Sequence, residues 1–476
     1  MTAVIHAVPA LVTLFIDHNY RARPMGALQQ KKRIAVIGSG IAGLSAAWRL
    51  TLTHHVTLFE AASRPGGHAH TVEVDLNGRP VAVDTGFIVF NPANYPNFTA
   101  MLDLLGVETA PSDMSFAASL DGHGFEYSSR PEGLFAQKRN LLRPRMWRML
   151  RDLLRLHAHS KALDAASEPR SLDQFLRDEG YSRTFRDDHI LPMCAAIWSS
   201  PVATMRGYPA SAFFEFFRNH GLLQVLDQPA WRTVTGGSRH HVEALIDLFT
   251  GDLRLSTPIR SVTRASDSVT LHPAEGDAML FDGVVFACHS DQALKLLADP
   301  TPQEVKLLGA IRYRDNIAVL HTDTRLMPRR KSAWASWNYL DTPDRSGQER
   351  ISLTYWMNRL QPLPTKRPVL VTLNPDLAPA PELVLHTDHY AHPVFDAAAI
   401  AAQRQIHEIQ GDNRSWYCGA WLGSGFHEDG LQSGLAVAEA LGAPERPWGL
   451  DGMTGRIVWP DHNTARIEIP RAVATQ

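Results

Sequence analysis

Only three cysteines, Cys194, Cys288 and Cys418, occur in 476 residues, all in apolar runs and none in a C-x-x-C pair. That pattern excludes a disulfide framework and suits buried thiols in a reducing, cytoplasmic setting. No run of about eighteen apolar residues is present, so no transmembrane helix is expected. A formal net charge of -2 gives no general drive toward nucleic acid, which is not expected as a partner. The apolar N-terminal stretch from Ala3 to Ile16 lacks a basic leader and carries His6, so it does not read as a secretion signal. Residues 1–32 are read as a disordered extension, with Met25 as a candidate start. The length exceeds the usual limit for one hydrophobic core and predicts two interleaved domains.

Against these absences stands one strongly informative run. The apolar segment Arg33 to Ile37 predicts a strand, Gly38-Ser39-Gly40-Ile41-Ala42-Gly43 a tight turn, and the residues to Leu50 a helix. A second strand, Val56 to Phe59, ends on Glu60. Gly38 permits the turn, Gly40 lets backbone approach a pyrophosphate, and Gly43 allows close helix packing, while Glu60 lies where an acid reaches a ribose hydroxyl. The whole is a dinucleotide-binding βαβ unit, and no second G-x-G-x-x-G occurs to supply a built-in NAD(P)H site.

The residues after Glu60 select the dinucleotide. Glu60-Ala61-Ala62-Ser63-Arg64-Pro65-Gly66-Gly67-His68 resembles the extended FAD fingerprint of the flavin amine oxidase and phytoene desaturase superfamily. The resemblance implies that Arg64 lies near the phosphates, that Gly66 and Gly67 pass close to the flavin, and that Asp84-Thr85-Gly86-Phe87 enters the flavin site. Trp416 to Gly419, then Gly430-Leu431-Gln432-Ser433, resemble the closing motif, whose helix N-terminus faces the flavin pyrimidine; Gly430, Leu431 and Ser433 are therefore expected at the cofactor. Ala420 departs from the pattern, because an acid usually occupies the position after that glycine to hold the ribityl chain; Glu428 or Asp429 is the expected substitute. Ile259 to Val262 resembles the strand whose backbone contacts adenine. Covalent flavin through His68 or a cysteine shows no attachment pattern.

The implied fold class is α/β: a Rossmann-like FAD-binding domain of the glutathione-reductase and amine oxidase type, with an interleaved α+β substrate domain. Residues 33–90, 231–300 and 411–445 are assigned to the FAD domain, 91–230 and 301–410 to the substrate domain, and 446–476 to a C-terminal tail. Asn77-Gly78 predicts a hairpin, and Ser171 to Gln174 a helix cap.

Within the substrate domain, Met146, Met149, Leu150, Leu153 and Leu156 recur at helical spacing beside Arg145, Arg148, Arg151 and Arg155. Two readings stand: an amphipathic helix lying on an anionic membrane, or a cap helix with a solvated basic face. Phe213-Phe214-Glu215-Phe216-Phe217 reads as core or as the lining of a hydrophobic tunnel. His386, His389 and His392 invite a metal reading, but strand alternation splits them between two faces, and no metal is expected.

Trp334 to Tyr339, Leu353 to Asn358, Val371 to Pro375 and Gly425 to Gly430 resemble a bacterial subgroup associated with cyclopropane-fatty-acid-synthase-like methyltransferases. No counterpart of the amine oxidase lysine is found; Lys331 does not occupy a site strand. The expected function is FAD-dependent desaturation or oxidation of a hydrophobic, phospholipid-linked acyl chain. Amine or isoprenoid oxidation is the alternative, and a non-catalytic flavin-binding partner of a lipid methyltransferase is the alternative of another class. His427, Asn338 and Tyr339 are the candidate catalytic residues, and Trp421 and Phe426 the candidate substrate walls. The expected place is the cytoplasm, with peripheral contact at the inner membrane face.

Overall fold

The computed structural model describes residues 31–163, 168–198, 200–219, 229–341, 352–450 and 453–459. The extension through residue 30 and the chain beyond 459 lie outside them. The glycine-rich unit forms β1 (Arg33–Ile37), α1 (Ile41–Leu50) and β2 (His55–Phe59). A hairpin of β3 (Thr71–Asp75) and β4 (Pro80–Asp84) comes after it, turning at Asn77 and Gly78, both with left-handed φ. Next come α2 (Pro96–Leu105), β5 (Phe116–Leu120), β6 (Phe125–Ser128), α3 (Pro144–Ala162) and α4 (Ala210–Asn219). The chain then returns through α5 (Arg239–Leu248), β7 (Asp252–Arg254), β8 (Ile259–Arg264), β9 (Gly283–Phe286) and α6 (Ser290–Leu296). Strands β10 (Arg312–His321), β11 (Trp337–Leu340), β12 (Ser352–Trp356), β13 (Leu370–Leu373) and β14 (Val384–Val394) precede the closing β15 (Ser415–Tyr417) and α7 (His427–Ala440).

Two main sheets result. The first, in order β15-β9-β1-β2-β7, is wholly parallel. Its inner strands β1 and β9 are apolar on both faces, as parallel strands covered on each side must be, whereas the edge strand β7 is Asp252-Leu253-Arg254 with exposed ends. Ile34, Val36 and Val285 pack toward α1 and α7, whereas Ala35, Ile37, Val284 and Phe286 pack on the opposite side. The second sheet runs β14-β10-β13-β12-β11-β5-β6, antiparallel except where β11 meets β5. Helices drawn largely from residues 131–219 share its core.

Helix α3 uses its apolar face for packing. Met146, Met149 and Leu156 are buried in the substrate-domain core, with Leu150 and Leu153 partly buried against it. This is the cap-helix geometry; the residues expected to meet lipid are occupied by protein. In the run of phenylalanines, Phe213, Phe214 and Phe217 are core, and Phe216 alone borders a cavity. Residues 446–450 and 453–459 pack on the FAD half: Arg446 forms a buried pair with Glu439 at 2.9 Å, Trp448 stacks on Trp48, and Arg456 pairs with Asp429. Breaking such a pair costs about 3–5 kcal/mol, because it strands a buried charge.

Candidate active site

In the parallel sheet, chain order reverses at β1, between β2 and β9. Ligands of such sheets sit beyond the carboxyl ends of the strands at this reversal. A cavity of about 720 Å³ opens there, within the range of roughly 300–1,000 Å³ typical of small-molecule and cofactor sites.

The three glycines of the turn have separate reasons. A Cβ on Gly43 would lie 1.8 Å from the Gly38 carbonyl oxygen, and one on Gly38 would lie 2.8 Å from that of Ala287. Both are required by the protein itself. A Cβ on Gly40 would meet nothing within 4 Å, yet Gly40 borders the cavity, so the space it leaves belongs to a ligand. Helix α1 starts here without a side-chain cap, offering its positive end to an anion. Glu60 borders the cavity at the end of β2, its carboxylate oriented by Ser39 N at 2.9 Å, Ser39 Oγ at 2.6 Å and Ala62 N at 2.9 Å. Ile259 closes the same end of the cavity with Thr257 and Pro258. An uncapped helix end, an open glycine and an oriented acid together fit a dinucleotide.

At the other end, Gly66, Gly67 and His68 face Thr85, Gly86 and Phe87, while Gly419, Ala420, Trp421, Phe426 and His427 complete the wall. Helix α7 begins at His427, three residues before the expected Gly430, so Phe426 and the buried His427 form its start at the cavity. His427 stacks on Phe87 at 4.0 Å and shares a hydrogen bond with His241, Nε2 to Nε2. His68 stacks on Tyr390 at 4.8 Å, beside His392 and His289. Burial holds these imidazoles neutral, with His68 and His241 lowered to about 3 and His392 to about 4, and His427 well below its ordinary value. The buried Nε2 of His68 has no hydrogen-bond partner among the described residues. Burial also pushes the Cys288 thiol up to about 12, so it is no nucleophile.

Several expected site residues do other work. The Arg64 guanidinium donates to the carbonyls of Gly67 and Pro65 and holds the glycine turn instead of bordering the cavity. Glu428 accepts from Asn97 N, Asn97 Nδ2, Phe98 N and Gln432 Nε2, capping α2. Asp429 accepts from Ser424 N and Phe426 N and pairs with Arg456 at 2.6 Å. Neither acid replaces the one missing at Ala420, because both are consumed by helix starts. Leu431 is core, and the Ser433 hydroxyl bonds Gly419 and Gly430. Gly430 abuts Ile41 and Ala420, behind the wall.

Asn338 is likewise structural: its amide bonds Ala335 N and O and Thr354 O. Tyr339 packs in the substrate-domain core, away from the cavity. Trp337 lies on the same strand face as Tyr339, opposite to Asn338, and borders the cavity. Trp421 and Phe426 both border the cavity, with Trp421 Nε1 donating to the Cys288 carbonyl and Phe426 stacked on Phe216 at 4.9 Å. The sequence pattern held no sign of His289, Tyr390 and Tyr313, for which no local motif exists, and pointed to His392 only through a metal reading; strand alternation along β14 puts Tyr390 and His392 on one face of the cavity wall.

The cavity is also bordered by Met114, Ile197, Trp198, Phe216, Trp337 and Tyr355, from the helices and strands outside the parallel sheet. Among the described residues the only bordering lysine is Lys295, on α6, exposed and paired with Asp291.

Among solved structures, the chain resembles a conjugated-linoleic-acid-producing fatty acid isomerase from P. acnes, at 16% identity and TM-score 0.61, covering 87% of this chain and 99% of that one. It also resembles a putrescine oxidase variant, at 13% identity and TM-score 0.63, covering 86% and 98%. Cyclohexylamine oxidase from Brevibacterium oxydans is similar at 15% identity and TM-score 0.61, covering 86% and 99%. These likenesses show a common fold. No curated protein matches the chain. Residues 41–441 match the flavin-containing amine oxidoreductase family. The glycine turn, the oriented acid and the cavity at the sheet reversal thus belong to an FAD-dependent oxidoreductase, and the chain is a member of the flavin-containing amine oxidoreductase family.

Proposed function

We propose that this FAD enzyme oxidises a hydrophobic chain, desaturating or otherwise oxidising a phospholipid-linked acyl group. The carrying observation is the part of the cavity lining outside the parallel sheet, where Met114, Ile197, Trp198, Phe216 and Trp337 offer no charge to a substrate. An apolar wall stabilises each buried methylene by about 0.8 kcal/mol and offers an ammonium group no counter-charge. The flavin, when bound, supplies the hydride acceptor. The protein's part is to align the chain between the Trp337 and Phe426 walls, exclude water, and present neutral imidazoles at His68 and His392. Amine oxidation is disfavoured by the lack, among the described residues, of a bordering lysine other than the paired Lys295.

Access to a lipid substrate is the second part of the reading. The outward face of α3 and the turn before it carry exposed Leu142, Trp147 and Leu154 among Arg148, Arg151 and Arg155. Leu142 is 89% exposed, which suits insertion at a bilayer surface, with the arginines meeting anionic headgroups. Among the described residues no helix is long and apolar enough to cross a membrane. A lipid methyltransferase as partner rests on the sequence resemblance alone and belongs to the same proposal.

Anaerobic titration of the flavin-loaded protein tests the substrate class. Bleaching by membrane phospholipids, with a desaturated or oxidised acyl product by mass spectrometry, is the expected result. Bleaching by amines or isoprenoids with none by lipids would overturn it.

A further inference from the structure

Outside the cavity, on the face of β14 that carries Tyr390 and His392, a second cluster is assembled from distant chain segments. His386 and Asp388 are two residues apart on that strand and so share a face. His70 comes from the segment after Gly66-Gly67, just before β3. His70 Nδ1 lies 3.1 Å from Asp388 Oδ2, and His386 Nε2 lies 3.0 Å from Asp388 Oδ1. One donor atom from each of the three residues falls within 4.8 Å of the others. We propose that His70, His386 and Asp388 bind a divalent transition-metal ion, with Zn²⁺ the best match.

The donor set is two imidazoles and one carboxylate, the composition of three-ligand zinc sites that keep a fourth position open. With bonds of about 2.1 Å, ligand atoms around a tetrahedral zinc stand about 3.4 Å apart. Those two separations run to different oxygens of Asp388; on one shared oxygen, the three donor atoms, all within 4.8 Å of one another, reach the ion by small side-chain rotations. Magnesium and calcium fit poorly, because they demand several oxygen ligands and the cluster supplies one carboxylate.

Charge points the same way. Among the described residues, Asp388 has no arginine or lysine partner; its only ion-pair partners are the two imidazoles. A divalent cation at their meeting point balances the carboxylate without protonating either ring. The carboxylate is also held in place, since Thr85 Oγ1 donates to Asp388 Oδ2 at 2.6 Å, the kind of supporting contact that orients metal ligands. Side-chain exposures of 14% for His70, 15% for Asp388 and 35% for His386 leave a side open to solvent for entry and for a bound water. Thr85 borders the flavin end of the cavity, so the ion ties the cofactor loop to the substrate sheet.

The test uses untagged, flavin-loaded protein freed of metal by chelator and titrated with Co²⁺, monitored by flavin-corrected difference absorption, with Zn²⁺ as competitor. One equivalent with ligand-field bands of a tetrahedral site is expected, displaced by Zn²⁺. His386→Ala and Asp388→Asn should each weaken binding by about 100-fold or more. His386→Ala is the safer variant for folding, since that ring is partly exposed, and circular dichroism verifies both. His389→Ala, on the exposed opposite face of the same strand, should leave stoichiometry and affinity unchanged. No saturable binding by the wild type overturns the proposal, as does binding that persists in His386→Ala and Asp388→Asn.

Discussion

His241 and His427, 186 residues apart, meet Nε2 to Nε2 at 3.1 Å inside the protein. Burial keeps both rings neutral, so one donates and the other accepts. The contact joins α5 to the first residue of α7, and thereby fixes the wall at which the flavin-facing helix begins.

Removing one partner of this pair strands the other. His241→Leu or His427→Leu alone should cost about 1–3 kcal/mol, the penalty of an unsatisfied buried polar group. The double variant should cost less than the sum, because no polar group is left unpaired. Urea unfolding measures all three, and strictly additive costs would show that the hydrogen bond contributes nothing.

The glycines of the turn should separate folding from cofactor binding. Gly43→Ala places a methyl 1.8 Å from the Gly38 oxygen and should compromise the fold itself. Gly40→Ala meets open space and should leave the apoprotein's unfolding midpoint unchanged while weakening FAD binding about tenfold or more. Equal FAD affinity in Gly40→Ala and wild type would remove the assignment of that space to the pyrophosphate.

Stability should fall on acidification below neutrality. His68, His241 and His392 stay neutral in the folded protein down to about 3, 3 and 4, whereas in the unfolded chain they protonate near 6.5. Between those limits the unfolded state binds more protons, so each histidine lowers stability by up to about 1.4 kcal/mol per pH unit as pH falls. Asp84 acts in the opposite sense, since burial raises its carboxyl to about 6 and the folded state binds the extra proton between about 4 and 6. Asp188, Asp341 and Glu428, also raised by burial, act with Asp84, while His189 and His321, lowered to about 4, act with the three histidines, and the net slope is a loss. Thermal unfolding midpoints from pH 7.5 to 5 should decline, less steeply in His392→Asn; a flat profile would count against neutral burial of these rings.

Liposome flotation tests the outward face of α3. Wild-type protein should float with anionic vesicles, and Leu142→Glu with Arg148→Glu should reduce the floated fraction several-fold, each basic group near lipid contributing about 1 kcal/mol. Both residues are exposed, so the fold should be untouched. Flotation unchanged in the double variant would dismiss membrane contact through this surface.

The FAD half of the protein was legible from local pattern. Gly38, Gly40 and Gly43, the apolar strands around them and Glu60 specify one turn by backbone sterics, over a stretch short enough for neighbouring residues to decide the conformation. The helix of Met146, Met149 and Leu156 was legible as amphipathic for the same reason, but its pattern does not say whether protein or lipid covers the apolar face. Tertiary packing decided that, and it also turned Glu428, Asp429 and Asn338 into caps and turn braces, because a polar group's role depends on which unpaired donors lie beside it. The meetings of His241 with His427 and of His70 with Asp388 arise from chain segments 186 and 318 residues apart, so only the folded topology brings them within hydrogen-bonding distance.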